Sequence, residues 1–185
     1  MPRDKQAILQ ELLVLRCKRG DSRAFDELFR LWEERLFYYI RRLVGSEADA
    51  WDVLQQTWLK VFKGIKTLDD SDRLPIWLYQ IARYSALSHW RGHYRQQARM
   101  EDQRDLTEIA AADDIDRFDD VEQIHLGLSR ISLAHREVLT LHFLEDFSLD
   151  EMAVILDIPP GTAKSRLFYA RRALRAVLKP KEEGQ

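Results

Sequence analysis

Between Phe25 and Leu43 the apolar residues Phe25, Leu28, Phe29, Trp32, Leu36, Tyr39, Ile40 and Leu43 return at steps of three and four, which marks an amphipathic α-helix. Gly45 ends it. Ser46, followed by Asp49, reads as a capping box that opens the next helix, with Trp51, Leu54, Trp58, Phe62 and Ile65 as the expected inner face. A turn this short makes the two helices an antiparallel pair. The segment "KGIKTLDDSDRLP" then collects Gly64, three aspartates, Ser71 and Pro75, and is expected to be a loop.

A third helix, "IWLYQIARYSALSHWRGHYRQQ", is expected to start just after Pro75 and to bury Trp77, Leu78, Ile81, Ala82 and Ser85. Its other side carries Arg83, Trp90 and Tyr94 on one stripe and Tyr84, Arg91 and Arg95 on the next, so cations alternate with flat rings. Exposed rings among cations suit single-stranded nucleic acid, whose unpaired bases stack and whose backbone is anionic.

From about Met100 to Glu122 the composition shifts to "MEDQRDLTEIAAADDIDRFDDVE", with few apolar anchors. That is the composition of an acidic flexible linker. The expected organisation is all-α: a domain over 1–97, a linker over 98–122 and a second domain over 123–185. Four helices are expected in the last, at roughly 122–130, 134–144, 149–156 and 160–178. Ser148 and Glu151 form a capping box, and "LDIPP" makes a short turn before the final helix, a helix-turn-helix rhythm.

The final helix places Ala163, Leu167, Ala170, Leu174 and Val177 on one face. Ser165, Tyr169 and Arg172 lie opposite, with Lys164, Phe168, Arg171 and Arg175 on a flank. A recognition helix needs this layout, because its first turns reach base edges in the major groove while cations and amides hold phosphates. Gly161 and Thr162 are expected to leave amides open for a phosphate at the positive helix end. A solvated basic surface helix is the plain alternative.

The 185 residues, 45% hydrophobic and 32% charged, suffice for one or two small helical domains and not for a large enzyme core. A formal net charge of -2 gives no global sign of nucleic-acid binding, although local basic stripes outweigh the sum. Cys17 is the only cysteine, so no internal disulfide or cysteine-based zinc site can form; in an apolar helix it reads as packing. The opening "MPRDKQAILQELLVLRCKRGD" breaks its apolar run with Arg16 and Lys18 and is too short to span a bilayer, so a cytoplasmic protein is expected. Its leucine-rich part reads as a piece of the first domain, with a docking helix for a partner as the alternative.

"DAWDVLQQTWLKVF", "LPIWLYQIARYSALSHWRGHYR" and "REVLTLHFLEDFSLDEMAVILDIPPGTAKSRLFYARRAL" resemble regions two and four of bacterial sigma factors, and most resemble the small two-domain extracytoplasmic-function group of the sigma-70 family. The resemblance runs from about Asp21 to Leu178. It implies a protein that recruits core RNA polymerase to a promoter subset, helps to melt it and does no covalent chemistry. It implies no cofactor or metal, and control by an anti-sigma factor that holds the protein at the inner membrane face without its own insertion.

By that resemblance Asp52, Gln55 and Gln56 meet the polymerase clamp helices; the family usually carries glutamate where Gln56 stands. Lys66 to Leu74, with Lys66 and Arg73, matches the loop that captures a flipped base of the minus-ten element. Arg83, Tyr84, Trp90, Arg91 and Arg95 serve the same element, with asparagine usual at the place of Tyr84 and aspartate near Ser88. Thr162, Lys164, Ser165, Arg166, Phe168, Tyr169 and Arg171 face the minus-thirty-five element, and many relatives carry arginine where Tyr169 stands. A missing arginine removes a bidentate contact to guanine worth about 1 to 3 kcal/mol of discrimination. The acidic linker would run through the polymerase cleft and RNA exit path, attracted by a cationic channel, or serve only as a solvated tether.

Two other readings remain. A repressor or activator with a C-terminal helix-turn-helix would ignore core polymerase. An enzyme would use His89 and His93, four apart on a helix, with Asp113, Asp114 and Asp116 as metal-binding carboxylates, but the histidines sit among arginines that repel a divalent cation.

Overall fold

A computed structural model describes the backbone of residues 5–100 and 127–178 and the side chains of 8–91 and 127–178. The described residues are helices, short 3-10 turns and connections, without a strand. The chain divides into two compact units, 1–93 and 94–185.

The first unit holds α1 (Lys5–Lys18), α2 (Ser22–Val44), α3 (Glu47–Gly64) and the start of α4 (Leu74–Met100). Asp21 caps α2: its carboxylate accepts from the amides of Arg23 and Ala24, and Arg16 Nε donates to it over 2.9 Å. That guanidinium bond, ahead of the backbone amide of Ala24, holds Asp21 below the usual carboxylate range. Gly45, at φ 81°, takes the left-handed conformation that closes α2.

α2 and α3 run antiparallel, since Phe25 meets Phe62 at one end and Phe37 meets Trp51 at the other. Their buried layer is Leu28, Trp32, Leu36, Ile40 and Leu43 from α2 against Ala50, Val53, Leu54, Trp58 and Val61 from α3. Trp51 and Phe62, expected on the inner face of α3, are instead exposed at 47% and 62%. The reason is geometric: Val53, Thr57 and Val61 occupy the buried line, which turns the large rings to the edge of the seam. Phe25 and Phe29 of α2 share that edge and pack on Trp58. Ser46 caps α3 by accepting from the amide of Asp49, but the reciprocal half of the expected box is not made; the Asp49 carboxylate lies 3.3 Å from His89 Nε2 instead.

α1 belongs to this unit, burying Leu13, Val14 and Cys17 while Ile8, Leu9, Leu12 and Leu15 stay exposed. Each fully buried aliphatic side chain contributes about 1.5 to 3 kcal/mol. Burial pushes the Cys17 thiol up to about 11, as for an inert packing cysteine.

The second unit contains α5 (Leu133–Phe143), α6 (Leu149–Leu156) and α7 (Pro160–Leu178), preceded by a helical turn at 127–129. The helix expected over 122–130 lies partly outside the described residues. The capping box of Ser148 and Glu151 is complete in both directions. At the other end of α6, Asp157 adopts φ 55° and Ile158 donates to the Ala153 carbonyl over 3.0 Å, a Schellman closure that turns the chain into α7. At Gly127 an added Cβ would meet Leu178 Cδ2 at 2.9 Å and Leu174 Cδ1 at 3.0 Å, the flexible ends of two side chains that would have to shift.

Candidate nucleic-acid interface

α3 presents one exposed face along its length. Asp52, Gln55 and Gln56 are all solvent-exposed, and Leu59, at 55% exposure, continues their line one turn on. Beside them an open apolar groove of about 510 Å³ runs along the α2–α3 seam, lined by Phe25, Phe29, Trp51, Gln55, Leu59 and Phe62 among others. Gln55 therefore belongs both to the polar line and to the groove. Sequence reasoning missed Leu59, although its step of three from Gln56 was a usable signal.

The segment from Lys66 to Leu74 is built rather than loose. It folds into two 3-10 turns, Ile65–Thr67 and Ser71–Arg73, and anchors itself through buried Ile65, Leu68 and Leu74. Trp77 packs over Gly64, where an added Cβ would lie 3.1 Å from Trp77 Cζ2, and it is half-buried rather than part of the deep core. Gln10 of α1 donates from Nε2 to the Ser71 carbonyl over 3.1 Å and braces the second turn. Lys66 and Arg73 stand exposed on the two turns, with Arg73 Nε 4.0 Å from Asp70.

α4 begins at Leu74, one residue before Pro75, because proline's missing amide is harmless in a first turn. It buries Leu74, Leu78, Tyr79, Ala82, Ser85 and Ala86, with Ile81 half-buried. Tyr84, 60% exposed, and Arg91 share an outward stripe two turns apart. Arg83 is half-buried. Trp90 is 37% exposed, and its indole N–H donates to the Leu43 carbonyl over 3.1 Å, which fixes the ring at the end of α2. The side chains of His93, Tyr94 and Arg95, the acidic segment 101–122 and Asp113, Asp114 and Asp116 lie outside the described residues. Among the described residues no group of three or more His, Cys, Asp or Glu is arranged to hold a metal, and His89 faces Asp49.

In α7, Ala163, Leu167 and Ala170 are buried, while Leu174 and Val177 are half-buried. The opposite side exposes Thr162, Lys164, Ser165, Phe168 and Tyr169, with Arg166 half-buried. Phe168 and Tyr169 meet edge to face at 5.4 Å. The Ser165 hydroxyl donates to the Thr162 carbonyl over 3.1 Å and keeps its lone pairs for an incoming donor. One expectation changes. The Thr162 amide is engaged, donating to the Pro159 carbonyl over 2.9 Å, and Pro160 has no amide hydrogen, so the helix end offers a phosphate at most the Gly161 amide and the Thr162 hydroxyl. Arg171 is exposed but lies over the Phe143 ring, 4.8 Å from its centroid, so this cation is partly committed to holding α5 and α7 together.

Comparison with known proteins fits both units. Residues 28–96 match the profile of Sigma-70 region 2, and residues 122–174 match that of Sigma-70, region 4. The chain is 33% identical over 145 residues to the ECF RNA polymerase sigma factor SigL of Mycobacterium tuberculosis, covering 77% of this chain and 82% of the relative. It is 28% identical over 179 residues to the RNA polymerase sigma-H factor of Pseudomonas aeruginosa, covering 91% and 93%. Among solved structures it is similar to the sigma factor RpoE in complex with the anti-sigma factor NepR from Bartonella quintana, with TM-score 0.70, 25% identity, and 85% and 98% of the two chains covered. The chain belongs to the extracytoplasmic-function group of the sigma-70 family and is a transcription initiation factor. Among the described residues no helix is long and apolar enough to cross a membrane.

Proposed function

We propose that the chain docks on core RNA polymerase through the outer face of α3 and reads promoter DNA with both units. The observation that carries this is the single exposed line of Asp52, Gln55, Gln56 and Leu59 beside an open aromatic groove, a surface that an isolated domain has no reason to leave uncovered. Lys66 and Arg73 would frame a flipped base of the minus-ten element, and Arg83, Tyr84, Trp90, Arg91 and Arg95 would take the melted strand. The exposure of Tyr84 and Arg91 on one stripe supports that assignment. Thr162, Lys164, Ser165, Arg166, Phe168, Tyr169 and Arg171 would face the minus-thirty-five element in duplex form. The limits 1–97 and 123–185 would bound the two domains, with 98–122 as the tether between them.

The protein acts without covalent chemistry of its own, in the cytoplasm, and an anti-sigma factor covers these surfaces until a signal arrives. Support for the last point comes from the solved complex of RpoE with the anti-sigma factor NepR.

The test is co-elution of the purified chain with bacterial core polymerase, followed by transcription from a library of promoter fragments. The wild type should co-elute and initiate at a defined subset, and the Asp52→Ala/Gln55→Ala variant should bind at least tenfold more weakly. Tight duplex binding with no affinity for polymerase would overturn the assignment in favour of an ordinary repressor or activator.

A further inference from the structure

Lys60 lies on α3 one turn beyond Gln56, at the edge of the face assigned to polymerase, and points across to α4. Its Nζ is 2.9 Å from the hydroxyl oxygen of Ser85 and 4.7 Å from the centroid of the Tyr84 ring. The two neighbours differ in burial: Ser85 is wholly buried, while Tyr84 is 60% exposed. Ser85 therefore acts as a fixed post, and the ammonium tied to it lies against one face of a ring most of whose surface is open. An ammonium has three N–H groups, so two remain after the bond to Ser85. Seven residues along α4, about 10 Å by helix rise, Arg91 stands exposed on the same stripe.

We propose that Lys60, Tyr84 and Ser85 form one binding element for unpaired DNA that spans two helices. Tyr84 stacks an extruded or unpaired base on its open face. Lys60 is the positioning residue that holds the ring plane, and its remaining N–H groups contact the adjoining phosphate, with Arg91 taking the backbone further along. The inference deepens the assignment of the α4 face to the melted strand and rests on it. Three physical points favour it. A surface tyrosine that is free to rotate loses rotamer entropy on stacking, and a ring already held by a cation loses less. Base stacking on an aromatic ring tolerates any base, because each has a π-face. Finally, a cation beside the ring draws the phosphate to the side where its base must land.

The experiment uses the full chain assembled with core polymerase. The probe is a fluorescein-labelled single strand carrying the melted strand of a promoter recovered from the library above, read by anisotropy across a salt series. Lys60→Gln keeps a donor for Ser85 while removing the charge, so the α3–α4 contact persists; Lys60→Arg restores the charge. Lys60→Gln should weaken binding about five- to tenfold at low salt and reduce the slope of log affinity against log salt by about 0.7, the value of one single-strand phosphate contact. Lys60→Arg should recover that slope. Tyr84→Leu should weaken binding between about fivefold and a hundredfold, and an abasic nucleotide at one position of the probe should erase that loss. The double variant should lose less than the product of the two single losses, because the residues act as a unit.

An unchanged slope and affinity in Lys60→Gln, or losses that multiply independently, would overturn this proposal alone. Failure of the wild-type holoenzyme to bind the strand would overturn the assignment of the α4 face as well.

Discussion

Replacing Arg136 by methionine should destabilise the second unit while sparing the first. Arg136 Nε donates to the Leu128 carbonyl over 2.8 Å, and Nη2 donates to those of Ser129 and Ile131 over 3.0 and 3.3 Å. One guanidinium thus closes the chain between the turn at 127–129 and α5. Hydrogen bonds to a charged group contribute about 1.5 to 3 kcal/mol each. Two corrections reduce the sum of three. Burial already depresses the Arg136 pKa, so its desolvation opposes the gain. The Ser129 bond is exposed, and water can replace it. Methionine keeps the apolar stem, which leaves a net loss of about 2 to 3 kcal/mol.

The assay follows from where the tryptophans lie. All five, Trp32, Trp51, Trp58, Trp77 and Trp90, fall in the first unit, so indole emission reports that unit alone while far-UV ellipticity reports both. With a urea m-value of about 1 kcal/mol per molar for so small a unit, the second transition should move down by about 2 to 3 M in Arg136→Met. If its whole stability is of that size, the helical signal should already be reduced without urea. The indole transition should stay where it is. A shift below about 0.5 M, or an equal shift of the indole transition, would refute the reasoning.

Asp157→Gly should raise the stability of the same unit by about 0.5 to 1 kcal/mol, because Asp157 holds the left-handed conformation at φ 55° that costs an L-residue strain and glycine none; urea melting by ellipticity checks it, and Asp157→Ala should show no gain. Cys17 carries a thiol raised from 9.0 to about 11 by desolvation first and by the Asp21 charge second. A raised folded pKa means that the unfolded chain loses its proton first, so the contribution is complete below about pH 9 and is lost as pH rises from 9 to 11. Across that window the indole-detected stability of the wild type should fall more steeply than that of Cys17→Ala, and iodoacetamide at pH 8 should label the folded chain far more slowly than the unfolded one.

Local chemistry carried most of the architecture into the sequence. Ser148 and Glu151, and the pair of prolines at 159 and 160, mark their helix boundaries because capping and missing amides act within a few residues. The α2–α3 pair was legible from periodicity, but Trp51 and Phe62 were not placed by it. A step of three or four cannot tell which of two neighbouring stripes faces inward when both are apolar, and the smaller β-branched residues took the buried line. Contacts between helices were the least legible. Nothing local to "TWLKVF" indicates that Lys60 reaches Ser85, or that Trp90 ends on the Leu43 carbonyl, forty-seven residues back. Likewise, Arg171 belonged to a basic helix by pattern, and only packing against α5 shows its ring partner.

Stacked on Phe143, the exposed Arg171 guanidinium keeps its charge and its N–H groups but is held in one place. A phosphate contact made from that fixed position adds about 0.9 to the salt slope of duplex binding and orders less of a long side chain than a freely rotating arginine would. The entropy cost of placing that cation is met when the second unit folds, before any DNA arrives.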